Sequence, residues 1–111
     1  MIKMLISFRS RTERVANTWR IDNFKKNSTD NTSLMSGYTE TYTKDGNYSY
    51  QWGIITGTGT WGFANHDANI NLVGVSNQIS HTLIILKLEE KQFWYYYMDG
   101  SDRYEYHLVQ N

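Results

Sequence analysis

Residues 38–52 read as a single β-hairpin, and that hairpin constrains the fold more than any other stretch. Tyr38, Glu40 and Tyr42 alternate with Thr39, Thr41 and Thr43; Lys44-Asp45-Gly46 supplies a turn; Tyr48, Tyr50 and Trp52 alternate on the way back. Period two marks a strand, because successive side chains point to opposite faces of a sheet. The length of the turn then decides which residues share a face. With Gly46 in the left-handed position at the end of a three-residue loop, Thr43 opposes Asn47 and Tyr42 opposes Tyr48. Tyr38, Glu40, Tyr42, Tyr48, Tyr50 and Trp52 then face the interior together, while the threonines pair outward with Ser49 and Gln51. A two-residue turn would shift the register by one and scatter the tyrosines over both faces.

The rest of the chain continues the pattern. Strands are expected at about 18–25, 37–43, 47–54, 58–64, 70–75, 80–88, 93–98 and 103–109, separated by turn chemistry such as Asn65-His66-Asp67-Ala68-Asn69 and Asp99-Gly100-Ser101-Asp102. Every connection except 26–36 is short enough to join neighbours. An all-β, eight-stranded antiparallel up-and-down barrel follows, in which the first strand pairs with the last, because closure removes the exposed edges that an open sheet would present. Gly100-Ser101 as a two-residue turn places Tyr97 opposite Tyr104 and Tyr95 opposite Tyr106. That register sends Trp94, Tyr96 and Met98 outward as an aromatic strip, a surface for a homodimer or for cover by Ile2, Leu5 and Phe8. Residues 1–14 are expected to form a helical or flexible extension and 15–111 the barrel domain.

Composition sets limits. At 111 residues, with 40% hydrophobic and 15% aromatic content, the chain is long enough for one core. Its 11 basic and 11 acidic residues cancel, and no basic run offers a surface that would track phosphates, so nucleic acid is not an expected partner. No apolar stretch is long enough for a transmembrane helix. Met1-Ile2-Lys3-Met4-Leu5-Ile6 is too short for a signal-peptide core and is followed by Arg9, Arg11 and Arg14 rather than a small-residue cleavage site. Without cysteine there is neither a disulfide framework nor a thiolate metal site.

These residues resemble a family. Asn17-Thr18-Trp19 sits where lipocalin-like proteins carry Gly-x-Trp at the start of the first strand. Tyr42-Thr43-Lys44-Asp45-Gly46-Asn47-Tyr48 is similar to the aromatic-x-x-Asp-Gly-x-Tyr hairpin of small bacterial lipocalin-like (calycin) domains. Gly59-Thr60-Trp61 and the segment from Leu86-Lys87-Leu88 to Phe93-Trp94 fit as well. The resemblance spans most of 15–109, although Asn17 replaces the glycine and there is no cysteine to carry a lipid anchor. It implies an up-and-down barrel that holds a small apolar molecule, on proteins often exported to the periplasm or cell envelope. It also implies an arginine stacked on Trp19, with Arg103 the nearest candidate and Arg14 an alternative. Fold licenses function only by analogy.

The chain shows no signature of catalysis. His66, His81 and His107 are scattered without the spacing of a metal site, and no nucleophile elbow, phosphate loop or dinucleotide fingerprint occurs. The expectation is a non-enzymatic protein without metal or cofactor. Glu40 stands out, since a carboxylate directed into a barrel must find partners there. Either it sits near an open rim or is satisfied by tyrosine hydroxyls or an arginine, or it orients a polar group of a ligand. Trp19 and Trp61 are expected to close the core at one barrel end. Two functions are compatible with this reading. In one, a small apolar or amphipathic ligand enters past loop 26–35 and lies against Tyr38, Glu40, Tyr42, Tyr48, Tyr50 and Trp52. In the other, the barrel is filled by its own rings and serves as a structural or protein-interaction domain.

Overall fold

In a computed structural model, whose described residues are 10–111, the chain forms a closed antiparallel barrel. The strands among the described residues are β1 (Thr18–Lys26), β2 (Thr29–Asp30), β3 (Tyr38–Tyr42), β4 (Asn47–Trp52), β5 (Ile55–Ala64), β6 (Asn69–Ser76), β7 (His81–Leu88), β8 (Gln92–Asp99) and β9 (Asp102–Gln110). Each of β3 to β8 pairs with the next in sequence. β1 lies between β3 and β9, which closes the ring, and β2 is a two-residue flap on the end of β1. The eight-stranded up-and-down barrel expected from the hairpin spacing is therefore the fold.

The two registers that rest on turn chemistry are as expected. Tyr42 opposes Tyr48, Glu40 opposes Tyr50 and Tyr38 opposes Trp52, around a turn whose Gly46 has φ +92°. At the other hairpin Tyr97 opposes Tyr104 and Tyr95 opposes Tyr106, with Gly100 at φ +61°. A residue with a Cβ is strained in this left-handed region, which explains why glycine occupies both turns.

The segment expected as loop 26–36 carries more structure than its polar composition suggests. β1 extends to Lys26, turns back through Asn27 and Ser28, both left-handed, and pairs with β2; a 3-10 turn, Thr32–Met35, follows. Thr32 holds this segment in place, its hydroxyl accepting from the Phe24 amide at 3.0 Å.

One end of the barrel is closed. The helix α1 (Arg11–Val15) is a single capped turn, with the Ser10 hydroxyl accepting from the Glu13 amide and the Glu13 carboxylate accepting from the Ser10 amide. It crosses the 14/15 boundary expected between extension and barrel. Val15 is fully buried, and its carbonyl accepts the Trp19 indole N–H at 2.9 Å. The Arg11 guanidinium donates to the Asp67 carbonyl at 2.9 Å, which pins α1 to the β5–β6 turn. Beneath the helix, Trp19, Tyr42, Trp61 and Phe93 fill the interior, with ring centroids 5.6 to 5.8 Å apart for Trp19–Phe93, Tyr42–Phe93 and Tyr42–Trp61. Trp19 and Trp61 thus share a barrel end, as expected.

The arginine that the family resemblance set against Trp19 is not Arg103. Trp19 pairs with Gln110 at the closed end, whereas Arg103 begins β9 at the opposite end and lies 3.6 Å over the Tyr96 ring on the outer surface. Arg14 sits on α1, next to the Val15 that takes the indole hydrogen bond. No helix among the described residues is long and apolar enough to cross a membrane.

Candidate functional site

At the end opposite α1 the barrel keeps a cavity of about 240 Å³. Its floor is Leu72, Leu83, Tyr38, Tyr48, Tyr95 and Tyr106, all directed inward and buried. Its upper wall adds Tyr50, Trp52, Tyr97 and His81, and its rim is Met35 on one side and Asn77, Gln78 and Ile79 on the other. Toward this end the inner positions of β5 are Gly57 and Gly59, which leave room for the wall rings. A Cβ at Gly57 would lie 2.2 Å from the Tyr50 ring, so that ring occupies room no other residue at 57 would leave.

The rim loop is built the same way. A Cβ at Gly74 would fall 1.7 Å from the Gln78 carbonyl oxygen, so the loop folds directly over this glycine. β6 pairs with β7 only from Asn69 to Leu72, and Val73–Ser76 continues alongside β5 alone. The chain between is free to cross the mouth. There Asn77, left-handed at φ +60°, accepts the Tyr50 hydroxyl on its carbonyl and donates its side-chain amide to the Thr56 carbonyl, both at 3.0 Å.

Of the six wall residues read from the sequence, Tyr38, Tyr48, Tyr50 and Trp52 line this cavity, with Trp52 at the mouth and 40% exposed. Glu40 and Tyr42 lie deeper, beneath its floor. Glu40 is 1% exposed, and three tyrosines converge on it: Tyr38 donates to Oε2 at 2.5 Å, Tyr95 donates to the same oxygen, and Tyr42 donates to Oε1 at 2.7 Å. Burial pushes the Glu40 carboxyl up from its ordinary value, while the three hydroxyls oppose the shift by favouring the ionised form. The hydroxyls of Tyr38, Tyr42 and Tyr95 are themselves raised, first by burial and then by the carboxylate beside them. The buried carboxylate was legible in the sequence; the donor from β8, fifty-five residues away, was not.

Sequence reasoning also missed much of the remaining wall. Tyr95, Tyr97 and Tyr106 were read as inward-facing without being placed in a site. The rim residues Asn77, Gln78 and Ile79 carry no periodic signal at all. His81 stacks on Tyr97 with centroids 3.8 Å apart, and burial holds its pKa below the ordinary value against the opposing pull of Asp99. Loop 26–35 reaches the mouth only through Met35.

Neighbouring strands cover part of the outer strip; Ile2, Leu5 and Phe8, expected as a possible cover, lie outside the described residues. Trp94 is sandwiched by neighbouring strands, with the His107 ring stacked at 3.9 Å and the Lys87 ammonium 4.1 Å from its centroid, while Arg103 covers Tyr96. Met98 remains 50% exposed. Glu105 ties this face together, accepting from Arg103 at 3.0 Å and bonding to His107 at 2.6 Å.

Among the described residues no group of three or more His, Cys, Asp or Glu is placed to hold a metal ion. No family model matches the chain, and neither a curated protein nor a solved structure does.

Proposed function

We propose that this chain is a non-enzymatic, lipocalin-like domain that binds one small apolar or amphipathic molecule in the open half of its barrel. The cavity carries this reading. An eight-stranded barrel has an interior that side chains just fill or that holds a single small ligand. Here the half under α1 is filled by Trp19, Tyr42, Trp61 and Phe93, while the other half keeps about 240 Å³ walled by rings and leucines. That volume falls just below the usual range of ligand pockets, which begins at about 300 Å³, and limits the occupant to one compact molecule. Leu34, Trp52, Ile54, Ile55 and Ile79 are large, apolar and exposed, and all five belong to segments at the mouth end. Such residues favour entry of an apolar molecule.

The test is a titration with n-hexanol, a neutral probe of fitting size, followed by calorimetry and by tryptophan emission. Saturable one-to-one binding, weakened by Trp52→Ala without loss of the folded state, is expected. Absence of saturable binding would favour the other reading, a structural or protein-interaction domain whose working surface is external.

A further inference from the structure

Two hydroxyls of the cavity floor are fixed as acceptors. Tyr38 and Tyr95 spend their single hydroxyl protons on Glu40, so what each retains is an oxygen with lone pairs. Tyr48, which lines the same floor, lies 3.5 Å from the Tyr38 oxygen. At the rim, the amide protons that a ligand might have met are committed to the backbone: Asn77 donates to the Thr56 carbonyl and Gln78 to the Ile79 carbonyl at 2.8 Å. The Tyr50 hydroxyl proton is likewise spent on the Asn77 carbonyl. At Tyr38, Tyr95 and the rim the cavity therefore presents acceptors whose own protons are already committed, while Tyr48, Tyr97 and His81 keep donor capacity.

The charge of the cavity is one-sided. No lysine or arginine lines the cavity, and none among the described residues pairs with Glu40, whose partners are tyrosines alone. A carboxylate one hydroxyl away from the cavity, with no cation beside it, favours positive charge at the floor, and a low-dielectric surround strengthens that preference. The rings act in the same direction, because aromatic faces attract cations.

We propose that the cavity selects a small apolar amine in its ammonium form, which donates to the hydroxyl oxygens of Tyr38 and Tyr48, is surrounded by rings, and has Glu40 beneath the floor as its counter-charge. This rests on the ligand cavity proposed above and adds the class of its occupant. Anionic ligands, fatty acids included, are disfavoured by the same arrangement.

Three probes of one length separate the two claims: n-hexylammonium, n-hexanol and hexanoate, titrated calorimetrically into the full chain at neutral pH and fixed ionic strength. The ammonium should bind about tenfold tighter than the alcohol, with hexanoate weakest. In Glu40→Gln the ratio of ammonium to alcohol affinity should collapse to within about twofold. Since position 40 lies in the core, Tyr38→Phe, which removes the acceptor between carboxylate and cavity, provides a second variant, and it should reduce the same ratio. If alcohol and ammonium bind the wild type equally, or hexanoate binds best, the amine proposal is overturned and the cavity reading stands. If none of the three binds, both fall. A ratio that survives both substitutions overturns the role given to Glu40 and Tyr38.

Discussion

The hydroxyl of Tyr95 on β8 donates to the Glu40 carboxylate on β3, joining two strands that are not neighbours in the sheet through the barrel interior. With Tyr38 and Tyr42 donating to the same group, the three bonds form a buried platform between the packed half of the barrel and the open half. Removing the acceptor leaves three buried hydroxyls without their partner, at about 1–3 kcal/mol for each unsatisfied group. Glu40→Leu should therefore destabilise the fold severely, and Glu40→Gln, whose amide oxygen still accepts, should cost clearly less. Urea denaturation of both variants measures the difference.

The same platform gives stability a pH dependence with a definite sign. Burial raises the folded-state pKa of Glu40 above its ordinary 4.5, so between these two values the native state holds a proton that the unfolded chain has lost. Stability from this group is full at low pH and falls as pH rises through the folded value. The hydroxyls of Tyr38, Tyr42, Tyr48 and Tyr95 that surround it are all raised and stay protonated throughout. Relative to Glu40→Gln, the wild type should lose stability as pH rises from the ordinary carboxyl value to the raised folded-state value, and no further above it. A difference that stays flat, or that grows with pH, would contradict the assigned burial.

At the closed end, Trp19 combines complete burial with one hydrogen bond to Val15. Trp19→Phe preserves most of the packing but leaves the Val15 carbonyl without its donor, and should cost about 1–3 kcal/mol. Trp19→Ala should cost about 3–5 kcal/mol through the cavity it creates. A Trp19→Phe variant as stable as the wild type in urea melts would mean that the indole bond to α1 contributes nothing.

Gly57 makes room for the Tyr50 ring. Gly57→Ala should destabilise by about 1–3 kcal/mol, because the new methyl overlaps that ring. The loss should be smaller when Tyr50→Ser is already present, although the Asn77 carbonyl 2.9 Å from the same Cβ keeps it above zero. A double-mutant cycle reads this directly, and additive losses would place the clash elsewhere.

On the outer surface the rings of Trp94 and Tyr96 are covered by Lys87, His107 and Arg103 of adjacent strands. Trp94→Ser should therefore reduce stability while leaving the sedimentation coefficient of the chain unchanged. A wild type that sediments as a dimer and a Trp94→Ser variant that sediments as a monomer would instead assign the strip to a self-interface.

What the sequence made legible follows from what is local. The turns at Lys44-Asp45-Gly46 and Gly100-Ser101 fix two registers outright, and those registers place Glu40, Tyr95 and Tyr97 inside. The platform itself needed barrel closure, which decides that β8 stands where its tyrosine reaches β3. Likewise, the Asn27-Ser28 turn has no glycine to announce its left-handed pair, so the flap after β1 read as loop. The rim at Asn77-Gln78-Ile79 depends on Gly74 accepting the backbone above it, a fit between two non-adjacent segments. Arg103 was misplaced for a related reason: its partner is set by the diagonal between β8 and β9, two residues from the paired position, rather than by the strand order that the family resemblance supplies.

The most direct test of the ligand cavity is methyl NMR of the chain during titration with n-hexanol. Leu72 and Leu83 form the apolar part of the floor, and Val15 and Leu108 are buried residues that do not line the cavity. A bound probe should shift the Leu72 and Leu83 methyl resonances along one saturable curve and leave those of Val15 and Leu108 in place. Shifts that are equal at both sets, or that grow linearly without saturation, would contradict a ligand site in the open half of the barrel.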